Sequence, residues 1–377
     1  MLVLRGAGLL LCTAAVALLT GCTQQTVREI DARPVSLAAV DVGSERLLDV
    51  GVLTFDPNVP EDFEARELRN IVPEVREAEA QYLPFELKEV LTASGQWGAV
   101  RVLPRESTAV DLTVRGRIEH ADGERLDLHV TAVDATGEVW IDELYTGYAV
   151  RRAYDEEAPL RLEPFITVFQ DVAADLAAYR ASLDEARIAR IRTVGRMRFA
   201  GSFAPEAFGD YVERTEDGRW TLQRLPAEGD PMIDRIERVR KREHLFIDTL
   251  DGYYERFHRT MREPYQDFRR YSYDEIVALN ELRREARQRL INGFVGLGAG
   301  IAAQFSDSRA ARAAGAVALF AGYSEITAGF ERRNQFDFHI QAIKEAGSNL
   351  ASEILPHDIE LADRIYTLSG NVDEQYE

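Results

Sequence analysis

The chain has 377 residues, of which 45 are Lys or Arg and 64 are Asp or Glu, giving a formal net charge of -19. A balance this acidic argues against nucleic acid and against an anionic membrane surface, both of which reward a basic face. Two cysteines, Cys12 and Cys22, are too few for a disulfide framework or a cysteine metal cluster.

At the amino terminus, Arg5 precedes an apolar stretch from Leu9 to Leu19. That stretch is shorter than the ~20 residues a spanning helix needs. It closes on Leu19-Thr20-Gly21-Cys22, with small residues before the cysteine. The pattern resembles a bacterial lipobox, which implies a signal peptide over 1–21 and acylation of Cys22. Thr23 stands where Asp would mark inner-membrane retention in such lipoproteins, so the implied address is the outer membrane, facing the periplasm. Each buried methylene of an acyl chain contributes about 0.8 kcal/mol, so a multiply acylated cysteine anchors without a transmembrane segment. Residues 22–47 are polar and contain Pro34; they read as a lipidated tether, with a short strand over 34–42.

A compact α+β unit is predicted over 48–150. Leu48 to Phe55 alternates as a strand does, and Leu83, Leu87, Val90 and Leu91 form a helical stripe that stops at Ser94-Gly95. The acidic run from Glu61 to Gln81 is helical in part and interrupted at Pro73, and Val100 to Leu103 is a short strand. Three strands then follow. Leu112, Val114, Gly116 and Ile118 share one face, as do Leu126, Leu128 and Val130, with Thr113 and Asp127 turned outward. Asp122-Gly123 and Asp134-Ala135-Thr136-Gly137 supply the turns, Gly123 by accepting a positive φ, and Val139 to Tyr148 completes the meander. The expected result is a strand-helix-strand-meander sandwich with its helices on one sheet face.

Within this unit VGVLTF, LPFELKEVLTASGQWGAVRVLP and VDLTVRGRIEHADGERLDLHVTAVDATGEVW carry a family likeness. They are similar to the CsgG and TolB amino-terminal type of periplasmic domain. The matching positions are Val52 to Phe55, Leu91 to Trp97, Asp111 to Ile118 and Asp134 to Val139. Domains of that type serve a secretion pore, a translocation accessory protein and lipoproteins that activate peptidoglycan synthases. No pair of long amphipathic strands here could build a membrane barrel, so pore formation does not carry over.

Residues 155–355 read as a mainly helical domain. Pro164 to Ala181 carries Phe165, Val168, Phe169, Val172, Leu176 and Tyr179 at helical spacing, and Leu183 to Met197 continues it. A chain break at Ala204-Pro205 and a short strand from Trp220 to Leu225 follow. Met232 to Glu263 is one long predicted helix ended by Pro264. Ser272 with Glu275 three residues on forms a capping box that starts the next, which runs to Leu290. A glycine-rich helical hairpin occupies 292–323. Gly296 and Gly300 on one piece and Gly315 and Gly322 on the other recur at helical spacing, so two backbones can approach closely. Burial in a soluble bundle, self-association and entry into a bilayer are all open to such a segment; its short apolar pieces and Arg309 and Arg312 weigh against the bilayer. The last stretch, 356–377, reads as a β-hairpin.

No metal-ligand spacing joins the six histidines, and no nucleophile elbow, Walker loop or dinucleotide fingerprint occurs, so the chain is expected to be non-enzymatic, without metal or cofactor. Asp248 and Asp251, with Glu255 on the same helical face, are the densest carboxylates. They keep open an alternative, a periplasmic hydrolase of peptidoglycan or polysaccharide. Tyr254, Tyr265, Phe268, Arg269, Arg270 and Tyr271 form an aromatic and Arg run that reads either as a partner-binding surface or as core. The expectation is an envelope lipoprotein that binds or assembles with protein partners, meets outer-membrane lipid through Cys22, and avoids nucleic acid. Self-association is compatible with it, and an oligomeric secretion component is a further alternative.

Overall fold

A computed structural model describes residue 43 and residues 46–69, 71–149, 151–154, 163–227, 229–304, 308–334 and 336–376. The signal peptide expected over 1–21, Cys22, almost all of the tether expected over 22–47 and the strand expected over 34–42 lie outside the described residues.

The fold is α+β. Strand β1 (Val50–Leu53) is followed by helices α1 (Phe63–Leu68) and α2 (Pro73–Ala93) and by β2 (Val100–Leu103). The meander is β3 (Leu112–Ala121), β4 (Arg125–Asp134) and β5 (Val139–Tyr148). The sheet order is β2-β1-β3-β4-β5, with β1 parallel to both neighbours and the meander antiparallel. Helix α2 begins at Pro73, where the first turn needs no N–H, and stops at Ser94 before Gly95 at φ 63°. The turn after β4 is tied by Asp134, whose carboxylate accepts from the Thr136 N–H at 2.7 Å and from Trp140 Nε1 at 2.9 Å.

Gly123 departs from expectation in its reason. Its φ is not positive; a Cβ there would strike the backbone of Tyr273 and Arg269. The turn needs glycine because a helix passes over it. Asp127, expected outward, is buried; Arg125 Nε at 2.8 Å and Thr146 Oγ1 at 2.8 Å donate to it.

Helices α3 (Ile166–Ala181), α4 (Glu185–Phe203) and α5 (Pro205–Phe208) come next, then the two-stranded sheet β6 (Val212–Arg214) and β7 (Trp220–Leu222). Asp184 caps α4, accepting from the Arg187 N–H at 2.7 Å. Helix α6 (Pro231–Gln304) is unbroken over 74 residues, about 110 Å at 1.5 Å per residue. Helices α7 (Arg309–Asn334) and α8 (Phe336–Tyr376) pack along it.

Three sequence expectations fail here. Ser272 with Glu275 starts no new helix and Leu290 ends none, because α6 runs on through all three. Pro264 does not end a helix. It forfeits one backbone hydrogen bond, but Met261 and Tyr265 on either side are buried in the core and hold the helix through it. The stretch 356–377 is not a β-hairpin, because helix α8 runs through Pro356 to Tyr376. The alternation of Ile359, Leu361, Ile365 and Leu368 is overridden by a longer helical stripe of Ile343, Leu350, Ile354 and Leu361, all buried.

The main core crosses residue 150. It joins Val50, Val52, Val114 and Leu128 of the sheet to Leu83 and Leu87 of α2 and to Phe169 and Leu176 of α3. Tyr254 and Phe257 of α6 and Leu350 and Leu361 of α8 complete it. A second cluster, with Leu103, Val194, Met197, Phe208 and Ile236, packs α4 and the start of α6 against β2.

Candidate functional site

The aromatic and Arg run of α6 does not form one surface. Tyr254, Tyr265 and Arg269 share the inward stripe and are buried, with Arg269 only 1% exposed. Phe268 and Arg270 are half-buried, and Tyr271 alone is well exposed. A partner could not reach Tyr254, Tyr265 or Arg269 without opening the core, which corrects the reading of these residues as a docking face.

What they build instead is a buried polar junction. Arg269 grips Glu163 with both terminal nitrogens, at 2.6 and 2.8 Å, and its guanidinium lies 4.2 Å from the Tyr265 ring centroid. Burial works against the arginine's charge, but the Glu163 carboxylate outweighs it and raises the pKa, so the guanidinium stays charged. Tyr265 donates its hydroxyl proton to Glu79 at 2.8 Å, and Arg76 Nε donates to the other Glu79 oxygen at 2.9 Å. Burial raises the Glu79 pKa despite these partners. Farther along, Glu86 Oε1 lies 2.6 Å from His258 Nε2, and Tyr82 stacks on that imidazole at 4.3 Å. Burial opposes ionisation of Glu86, yet its contacts with His258 prevail and its pKa is lowered. The junction ties α2, α6 and the residues before α3 together. Sequence offered no sign of it, because Glu163 stands 106 positions from Arg269.

Asp248 and Asp251 are held by structural cations. Arg101 donates to Asp248 at 2.5 Å, and Lys88 to Asp251 at 2.5 Å. The second Asp251 oxygen accepts from the Val102 N–H at 2.8 Å, which pins α6 to β2. Both carboxylates are thereby engaged in holding α6 to α2 and β2. Among the described residues, no group of three or more His, Cys, Asp or Glu could hold a metal ion.

The four glycines meet across the hairpin. A Cβ on Gly296 would lie 3.1 Å from Gly322 Cα, and one on Gly300 would lie 2.7 Å from the Gly315 carbonyl oxygen. A Cβ on Gly322 would lie 2.6 Å from the Gly293 carbonyl oxygen. The helices therefore touch backbone to backbone. Their large side chains point the other way: Phe294, Val295, Ile301, Val317, Phe320 and Tyr323 are 54 to 77% exposed. The hairpin is not buried inside a bundle, as one expectation had it; it packs on itself and leaves an uncharged apolar surface in solvent.

Comparison with protein-family models, with curated proteins and with solved structures finds no match to this chain.

Proposed function

We propose that the chain is a non-catalytic lipoprotein of the cell envelope, anchored in the outer membrane through acylated Cys22 and facing the periplasm. It acts as a binding or assembly factor by presenting the apolar end of its helical hairpin to a protein partner. The observation that carries this reading is the inverted hairpin, with glycines inside and Phe294, Val317 and Phe320 outside. An apolar patch rimmed by polar sequence is the mark of an interaction surface. Protein covers it better than lipid does. The run from Ile291 to Gln304 extends about 20 Å at 1.5 Å per residue, against about 30 Å of hydrocarbon. The sequence joining the two runs is polar, from Ser306 to Arg309 and again at Arg312. No helix among the described residues is long and apolar enough to cross a membrane. The lipobox-like Leu19-Thr20-Gly21-Cys22 and the likeness of residues 48–150 to envelope domains support the setting.

The test is a photo-reactive residue at Phe320 in intact cells. A discrete protein adduct, lost when Phe294→Asp is added, is expected. Adducts to lipid alone, or an adduct pattern indifferent to Phe294→Asp, would overturn the reading.

A further inference from the structure

A groove of about 670 Å³ opens between the start of α2, the β3–β4 turn and the middle of α6. Part of its lining is apolar: Val72, Val75, Phe268, Ile276 and Ile343. Around these stand six arginines, Arg69, Arg76, Arg125, Arg283, Arg284 and Arg287, against three carboxylates, Glu79, Asp122 and Glu124. The local charge is thus opposite to that of a chain with net charge -19.

The carboxylates are already engaged. Asp122 accepts from the Glu124 and Arg125 N–H groups, each at 2.7 Å, and lies 2.7 Å from His120 Nε2. Glu124 accepts from Asn280 at 2.6 Å, and Glu79 from Arg76 and Tyr265. Arg125 is matched by Asp127 at 2.6 Å. No ion pair joins Arg283, Arg284 or Arg287 to another described residue, and all three are exposed.

Two buried donors, one on the α2 side of the groove and one on the α6 side, are unsatisfied. Arg76 spends Nε on Glu79 and Nη2 on the Ala121 carbonyl at 3.1 Å, but Nη1 has no hydrogen-bond partner among the described residues. The Ser272 hydroxyl is likewise without one, and both side chains are at least nine-tenths buried. Leaving such groups unmade costs about 1–3 kcal/mol each, so native proteins retain them where something else supplies the acceptor. An acceptor that meets a guanidinium arm and a hydroxyl, under a rim of arginines, is an anionic oxygen.

We propose that this groove binds an organic phosphate ester, its phosphate oxygens under the α6 arginines and, once the side chains covering them part, on Arg76 Nη1 and Ser272 Oγ, with its apolar portion against Phe268 and Ile276. The groove lies within the usual size range of small-ligand sites. Phosphate suits it better than carboxylate because a dianion answers the excess of positive charge. The ester is either a lipid headgroup phosphate or a soluble phosphate.

The test is calorimetric titration of the full chain carrying Cys22→Ala with hexyl phosphate, inorganic phosphate and hexanol. Saturable binding of hexyl phosphate is expected, at least about tenfold tighter than either control. It should weaken by about tenfold or more in Arg284→Gln/Arg287→Gln, whose exposed positions leave folding intact, and again in Arg76→Gln. Absence of saturable hexyl phosphate binding, equal affinity for inorganic phosphate, or unchanged binding in Arg284→Gln/Arg287→Gln overturns the proposal. Flotation with vesicles containing phosphatidic acid, abolished by the same variants, identifies the lipid as the source. Hexyl phosphate binding without flotation identifies a soluble ester.

Discussion

The sheet and the hairpin use apolar residues in opposite senses. In the sheet, Val50, Val114 and Leu128 turn inward beneath α2 and α3 and exclude water. In the hairpin, glycine occupies the inward positions, and Val317 and Phe320 stand in solvent. Burial of large side chains stabilises the first region at roughly 25 cal/mol per Å² removed from water. The second forgoes that gain over its outer faces and is held by close backbone contact. Hydrophobic content alone therefore does not say whether a segment's large side chains are packed inside or left in solvent; the position of the smallest residues does.

One substitution made in both places separates them most sharply. Val114→Asp buries a carboxylate in the apolar core and should cost more than about 4 kcal/mol, leaving the chain unfolded by circular dichroism. Phe320→Asp should change stability by no more than about 0.5 kcal/mol. Comparable losses at the two positions would erase the distinction.

Next in size is the junction that joins sheet to helices. Arg269→Leu strands Glu163 without its charge partner and should cost about 3–5 kcal/mol in urea denaturation. Adding Glu163→Leu should recover part of that loss. A double variant as unstable as the sum of its singles would show that the two side chains act separately.

Within the hairpin, Gly300→Leu must displace the Gly315 backbone, and the usual scale of overpacking gives about 1–3 kcal/mol. The melting temperature should fall although no apolar contact is removed. An unchanged melting temperature would mean that the two helices are already free to part.

A further effect is titratable. Burial, helped by Glu77, pushes the Asp358 pKa up to about 6. Its folded value therefore exceeds its unfolded one, the folded state holds the proton more tightly, and stability declines as pH rises from about 4 to about 6. Asp358→Asn should raise stability at pH 7 and have no such effect below pH 4. A gain that persists at pH 3 would assign the effect to something other than the carboxylate.

The legible parts of the chain were those written in local pattern. The meander follows from period-two alternation with Asp-led turns, and the glycine spacing at 296, 300, 315 and 322 pointed to close helix approach. Where tertiary packing decides, local signals misled. Pro264 and Pro356 look like stops, yet anchored neighbours carry both helices through them. Asp127 alternates outward by count and is buried because its partners come from within β4 and from β5. The groove was illegible for a different reason. Its arginines come from three separate stretches, around residues 69–76, at 125 and at 283–287, and no single window shows them together.

The length of α6 has a mechanical consequence. From Ser272, on the wall of the groove, to Asn292, where the apolar run begins, the helix contains neither proline nor glycine. Sharp bends in helices need such residues or a local defect in the hydrogen-bond ladder. This stretch of about 30 Å is therefore a strut without a joint. A torque or a pull applied at the apolar run is delivered to Ser272, Ile276 and Arg283 with little lost to flexing.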